Sequence, residues 1–385
     1  MSQVRFMERL LEGVEVEWKK LDDVVELTRG RVMSKVYLLE NTGEYPVYSS
    51  QTANNGEIGK INTFDFDGVF VSWTTDGANA GTVFYRTGKF SITNVCGLIK
   101  INNNLELNYK YLYYWLSIEA KKHVYSGMGN PKLMSNQVAK IPIPIPPLEV
   151  QSEIVRILDN FTELTAELTA ELTARKKQYS YYRDQLLSFE EGEVEWKSLG
   201  EVAEYSKTRI GFEKLNKDNY VGVDNLLQNR KGKTISTKIP TKGNSTQYEA
   251  NDILIGNIRP YLKKIWFATH GGGTNGDVLV IRLTDDTLIP RYLYQILADD
   301  KFFIYNMAHA KGAKMPRGNK EKIMEYRIPI PPIEKQKEIV NILDKFDTLT
   351  NSISEGLPRE IELRQKQYEH YRNLLLSFPK EKVEV

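Results

Sequence analysis

The chain is written twice, and that duplication restricts its possible folds more than any other feature. "VEWK" stands at Val16–Lys19 and again at Val194–Lys197. "IPIPPLEVQSEIVRILDNFTELT", residues 143–165, returns as "IPIPPIEKQKEIVNILDKFDTLT", residues 328–350, with 16 of 23 positions identical. "RKKQYSYYRDQLLSF" at 175–189 returns as "RQKQYEHYRNLLLSF" at 364–378. The order is therefore module, helical connector, module, helical connector. The ends continue the pattern, because "RLLEGVEVEW" near the N-terminus resembles "QLLSFEEGEVEW" and the final "SFPKEKVEV" restarts "SFEEGEVEW". This near-circular order predicts termini close in space and a pseudo-two-fold organisation.

Each connector begins after a proline-rich stretch that cannot continue a helix. In the first connector the apolar positions, with Arg175 filling one slot, then recur at steps of three and four, the pattern of a coiled coil with one four-residue insertion. One connector leaves the first module and the other returns from the second, so connectivity predicts an antiparallel pair. Leu164, Leu168 and Leu172 in the tandem "TAEL" tetrads, with Leu349, Ile353 and Leu357 in the second connector, mark the spacer helices. Each tetrad adds one helical turn, about 6 Å. Gly356 and Pro358, in "SEGLPREIE", predict a break or kink in the second connector, which is four residues longer there.

The modules mix short β runs with one amphipathic helix each. In the first, "DGVFVSW", "AGTVFYR" and "FSITNVCGLIKI" read as strands before helical "YKYLYYWLSIEA". In the second, "NDILIGNI", "KKIWFAT" and "DVLVIRL" precede helical "PRYLYQILADD". The fold class is α+β: two similar mixed α/β modules at residues 18–147 and 191–332, and long antiparallel coiled-coil connectors at 148–190 and 333–385. Residues 1–17 complete the second connector.

Charge is unevenly spread. Residues 18–147 carry 14 Lys and Arg against 11 Asp and Glu, and residues 198–332 carry 21 against 14. The remainder carries 17 against 25. Basic modules suit an anionic partner, and acidic connectors suit protein partners.

Recognition belongs on the polar loops. The first module offers Tyr48, Ser49, Ser50, Gln51 and Asn54, then Trp73, Thr74, Thr75, Asp76 and Asn79, and Lys132 before the connector. The second offers Arg259, Tyr261, Lys263 and Lys264, then Thr274 and Asn275, and Lys311, Lys314 and Arg317. "GNIRPYLKK" sits where "SWTTDG" does, and "KGAKMPRGNK" parallels "GMGNPK". Asn and Gln pair with adenine, Arg and Lys with guanine, and hydroxyls with bases or phosphates, so these loops have the chemistry of a DNA-reading surface. The same residue types also fill ordinary turns.

Catalytic chemistry is missing. "KGKT" at Lys231 lacks the earlier glycine of a phosphate-binding loop, the four histidines are scattered, and there is no nucleophile elbow or amino-methyltransferase motif. Cys96 is the lone cysteine, which fits a reducing cytoplasm and a small buried hydrophobe. No apolar run approaches a membrane span.

The duplicated "IPIPP…E.Q..I..ILD.F" segments, the tandem "TAEL" and the paired "R.KQY..YR..LLSF" segments make the chain resemble the specificity subunit of a type I restriction-modification enzyme, of the IC-like subgroup. The resemblance implies a prokaryotic cytoplasmic subunit without catalysis or cofactor of its own. Its two target recognition domains would each bind half of an asymmetric two-part site in double-stranded DNA. Two methyltransferase subunits would dock on it and bring S-adenosylmethionine, and two restriction subunits would bring ATP- and Mg-dependent activity. Half-sites on one DNA face prefer centres one turn apart, and modules reading 3 or 4 bp then leave a gap of about 6. The alternative is a coiled-coil adaptor whose modules bind protein.

Overall fold

The computed structural model describes residues 12–378 except Met128, Glu191 and Ile353. The expected closeness of the two termini, the part of residues 1–11 in the second connector, and Ile353 in the spacer seam lie outside the described residues. The chain divides into two compact units, one running to Thr165 and resuming at Arg364, the other spanning Ala166–Leu363. Each unit takes one module with parts of both connectors, so the divisions fall inside helices.

In the first unit, the VEWK strand β1 (Glu17–Lys20) pairs antiparallel with β8 (Pro142–Ile145), Trp18 opposite Pro144. Proline has no N–H to donate, so the IPIP segment is confined to an edge position. After α1 (Leu21–Val24) come β2 (Val25–Arg29), α2 (Lys35–Glu40), β3 (Thr42–Tyr48), β4 (Glu57–Ile61), β5 (Phe66–Thr74), β6 (Val83–Ile92) and β7 (Cys96–Ile101). These strands form one six-stranded sheet in the order β2-β7-β5-β6-β3-β4. The run 90–101, expected as one strand, is two, because a turn closes where Cys96 N–H donates to Thr93 O at 2.9 Å. Helix α3 (Tyr109–Glu119), capped by Asn108, covers one face through Tyr111, Leu112 and Trp115 on Val71, Trp73 and Ile99. The other face buries Phe90, Ile92, Cys96 and Leu98 beside Tyr48 and Phe70. Cys96 is buried there, and desolvation pushes its thiol up to about 12. Helix α4 (Ser135–Val138) precedes β8, and α5 (Leu148–Leu186) then runs 39 residues without a break.

The second unit repeats this frame. Strand β9 (Glu195–Ser198) pairs with β18 (Arg327–Ile330), Trp196 opposite Pro329. Helix α6 (Leu199–Val202) leads into β10 (Ala203–Tyr205), which joins β14 (Ile253–Gly256), β15 (Ile265–Phe267) and β17 (Val278–Leu283) in a sheet ordered β10-β17-β14-β15. This is the order β2-β7-β5-β6 of the first unit. Strands β11 (Arg209–Gly211), β12 (Tyr220–Val221), β13 (Asn244–Tyr248) and β16 (Gly272–Thr274) build a second sheet, ordered β11-β13-β16-β12. Val221 and Tyr248 from it share a core with Leu254, Val278 and Val280. The expected single helix is two, α7 (Pro290–Leu297) and α8 (Asp300–Ala308), because Asp299 ends one and caps the next by accepting from Lys301 N–H. Helices α9 (Lys320–Met324), α10 (Ile333–Asn351) and α11 (Gly356–Leu375) follow.

The repeated residues hold each module to its connector. Gln151 accepts from Asn108 N–H at 2.9 Å and donates to Glu106 O and Pro146 O. Gln336 does the same with Ile289, Thr287 and Pro331. Asp159 takes Lys110 and the Tyr114 hydroxyl, as Asp344 takes Arg291 and Gln295. The Tyr111 hydroxyl donates to Pro144 O and that of Tyr292 to Pro329 O.

Between connector segments, Phe161 stacks on Tyr371 in the first unit, and Tyr179 and Tyr182 stack on Phe346 in the second. Leu164, Leu168 and Leu172 are half-buried along α5, Leu349 is half-buried in α10, and Leu357 is buried at the start of α11. The expected break falls between Asn351 and Gly356. Gly356 has φ +74°, and a Cβ there would lie 2.4 Å from the carbonyl oxygen of Thr348, so the chain folds back against the last turn of α10 only with glycine.

Candidate nucleic-acid interface

The strand order puts a loop at the C-terminal end of β5 in the first unit and of β14 in the second. Each is closed by a distant loop that precedes the last short helix of the module. In the first unit, Gly77 N–H donates to Pro131 O at 3.0 Å and Leu133 N–H to Thr75 O at 2.9 Å, while Tyr125 and Lys132 exchange both backbone bonds. In the second, Arg259 N–H donates to Pro316 O at 2.7 Å and Gly318 N–H to Asn257 O at 3.1 Å, while Lys311 and Arg317 exchange both bonds. The backbone is therefore alike, with different side chains on it: Asp76, Gly77, Tyr125 and Lys132 in one unit, Ile258, Arg259, Lys311 and Arg317 in the other.

In the first unit Asp76 accepts from the Thr75 hydroxyl at 2.6 Å and lies 3.9 Å from both Lys132 and Arg29. Arg29, the last residue of β2, also donates to Asn94 O and to Thr75, and Arg31 binds Asp65 and the Tyr37 hydroxyl. Neither arginine stands out in the sequence; the "RGR" that ends a strand beside the loops is the available signal. Lys132 is exposed. Tyr48, Ser49, Ser50 and Gln51 are half-buried and Asn54 is exposed, on a segment joined to the β6–β7 turn where the Thr93 hydroxyl donates to that of Ser49 at 2.9 Å. The carbonyl of Asn79 closes its own turn, accepting from the Thr74 hydroxyl and from Thr82 N–H.

In the second unit Arg259, Lys311, Lys314 and Arg317 are exposed, and Tyr261 is half-exposed on a short turn between Arg259 and Lys263. Arg259 and Lys263 both have left-handed φ, +52° and +50°. Such backbone costs a non-glycine residue about 1 to 2 kcal/mol, so the surrounding hydrogen bonds must hold the turn. Arg317 is 3.2 Å from Asp277, and Lys263 donates to Asp300 at 2.7 Å. Asn275 accepts from Asp277 N–H.

Five residues taken from the sequence as surface readers are interior. Trp73 is 1% exposed, with its indole N–H donating to Leu133 O at 2.9 Å. Thr74, Thr75 and Thr274 are fully buried, and the Thr274 hydroxyl donates to Val221 O. Lys264 is buried with its ammonium on Val223 O, and desolvation lowers its pKa. The C-terminal half of β5 is covered on both faces, so neither set of alternating side chains there reaches solvent. Thr274 ends β16, which lies between β13 and β12. These residues shape the loops from beneath.

Among the described residues, no group of acidic, His and Cys side chains could hold a metal ion, and no helix is long and apolar enough to cross a membrane.

Comparison with known proteins agrees with this geometry. The family described as type I restriction modification DNA specificity domain matches residues 13–175 and 191–363, one copy for each half of the repeat. A type I restriction enzyme specificity subunit of Escherichia coli is 37% identical over 410 residues, covering 99% of this chain and 98% of that protein. A putative type I restriction enzyme specificity subunit of Haemophilus influenzae is 35% identical over 404 residues, covering 97% and 98%. The crystal structure of a type I restriction-modification system S subunit from M. genitalium superposes with a TM-score of 0.64 at 16% identity, covering 96% of this chain and 98% of that one, a likeness of fold. With both halves matched and relatives similar over nearly their full length, the chain belongs to the type I restriction-modification DNA specificity family.

Proposed function

We propose that this chain is the DNA specificity subunit of a type I restriction-modification enzyme, each unit reading one half of an asymmetric two-part site in double-stranded DNA. The observation that carries the reading is the shared loop backbone with unlike side chains: one scaffold used twice, for two different sequences. Lys132 in one unit and Arg259, Lys311, Lys314 and Arg317 in the other supply phosphate attraction and base contacts, the first salt-dependent and the second specific. The TAEL helix is the spacer that fixes a gap of about 6 bp between half-sites. The subunit holds no cofactor. Two methyltransferase subunits dock on it with S-adenosylmethionine and methylate an adenine in each half-site, and two restriction subunits with ATP and Mg complete the complex in the cytoplasm of its prokaryotic cell.

The test is co-expression with an IC-type methyltransferase subunit in a methylation-free host, followed by mapping of methyladenine. A two-part sequence with a gap near six is the expected result. A stable complex that methylates nothing would overturn the reading in favour of a protein-binding adaptor.

A further inference from the structure

Arg86 is a buried cation without a counter-charge. It stands on β6 with 2% of its surface exposed. Its Nε donates to the Ser72 hydroxyl at 3.0 Å, but neither terminal amino group has a hydrogen-bond partner. The guanidinium is sandwiched instead, 3.6 Å from the centre of the Tyr48 ring and 4.4 Å from that of Phe84. Among the described residues no carboxylate pairs with it, and desolvation pulls its pKa down to about 10. Arginine presents five N–H donors in a planar fork, and here most go unused. Burying a lone charge is costly, and an apolar side chain of similar length would fill the same space more stably.

What covers this fork is the segment from Tyr48 to Gly56. Gly56 has φ +83°, and a Cβ there would lie 3.1 Å from an Arg86 amino nitrogen, so glycine lets the backbone close over the guanidinium. Asn54 and Asn55 beside it are left-handed, with φ +49° and +55°. The closure rests on Ser49 N–H to Gly56 O at 2.9 Å, on the Gln51 side-chain amide, which donates to Glu57 O, and on the Thr93 hydroxyl, which donates to that of Ser49 at 2.9 Å. The segment is anchored at Thr93, whose N–H donates to Tyr48 O, and the adjoining Asn94 carbonyl accepts from Arg29. The cover is thus continuous with the loops that face DNA in the proposed function.

We propose that Arg86 is a DNA-binding residue of the first unit, uncovered when the Ser49–Gly56 segment lifts, and that its paired amino groups take two acceptors from the duplex. Those acceptors are either O6 and N7 of a guanine or two oxygens of one phosphate; both fit the fork. The inference rests on the specificity-subunit reading.

The experiment compares wild-type chain, Arg86→Met and Arg86→Lys, each in complex with the co-expressed methyltransferase subunit, on a randomised duplex pool over a range of salt, together with the melting temperature of each chain without DNA. Arg86→Met is expected to melt at or above wild type. If the fork reads guanine, both variants lose roughly 5- to 150-fold preference at one position of one half-site and keep the other half-site intact. If it holds phosphate, Arg86→Met binds all sequences more weakly with a salt slope lower by about 1, and Arg86→Lys still holds the phosphate. Arg86→Met melting below wild type with sequence preference and salt slope unchanged would overturn the proposal by showing a structural arginine. A wild-type complex that selects no two-part sequence would instead overturn the specificity reading.

Discussion

The backbone N–H of Arg259 donates to the carbonyl of Pro316 over 2.7 Å, which fixes a left-handed turn and leaves the arginine side chain in solvent. Arg317, next to that carbonyl, is exposed as well. Arg259→Ala is therefore expected to change stability by less than about 0.5 kcal/mol, and Arg317→Ala, which loses its exposed pair with Asp277, by less than about 1 kcal/mol. Under the proposed function, loss of either side chain is expected to cost about 1 to 3 kcal/mol of discrimination and to relax one half-site only. Methylation mapping of each variant checks this, and a change in both half-sites would contradict it.

Gln336 is fully buried and makes three hydrogen bonds across the junction of module and connector. Gln336→Leu keeps the volume but strands Ile289 N–H and the carbonyls of Thr287 and Pro331. Only the bond to Pro331 O is fully buried, and water can reach the partners of the other two, so a loss of about 1 to 3 kcal/mol is expected in a urea titration. Gln151→Leu should behave alike.

Insertion of one TAEL tetrad after Ala174 lengthens α5 by about 6 Å. The expected outcome is an altered gap with both half-site sequences retained, read by methylation mapping. An unchanged gap would rule out the spacer role.

Asp285 accepts from the Thr287 hydroxyl and N–H, both at 2.7 Å, and from Lys197 at 2.9 Å. These bonds, led by the Thr287 hydroxyl, hold its carboxyl down at about 2, against an ordinary 3.8. A depressed carboxyl contributes stability that is fully present above the unfolded value and lost as pH falls through the folded one. Asp285→Asn should thus melt below wild type at neutral pH, with the difference fading between about pH 4 and pH 2. A difference that persists below that window would contradict the assignment.

The frame was legible in the sequence because its residues occur twice. "VEWK" and "IPIP" are the two strands of one ribbon, the Gln of "LEVQ" and "IEKQ" ties connector to module, and the Asp of "ILD" receives the helix that carries "YLY". The break at Gly356 was legible from glycine and proline. The interior of the loops was not. Trp73 and Thr274 have the chemistry of surface readers, and only the layers over both faces of β5 and the central place of β16 in its sheet bury them. Strands as short as β11 and β16 carry no periodicity, and Arg29 and Arg86 gain their meaning from partners far along the chain.

Main-chain bonds close both loop pairs, Gly77 to Pro131, Leu133 to Thr75, Arg259 to Pro316 and Gly318 to Asn257, with the buried Trp73 indole adding one bond to Leu133 O beneath the first. Substitutions at the exposed positions between them leave those bonds intact, so mutation can explore new side chains there with little harm to folding. The loops can therefore exchange one side chain at a time without disturbing the duplicated frame that carries them.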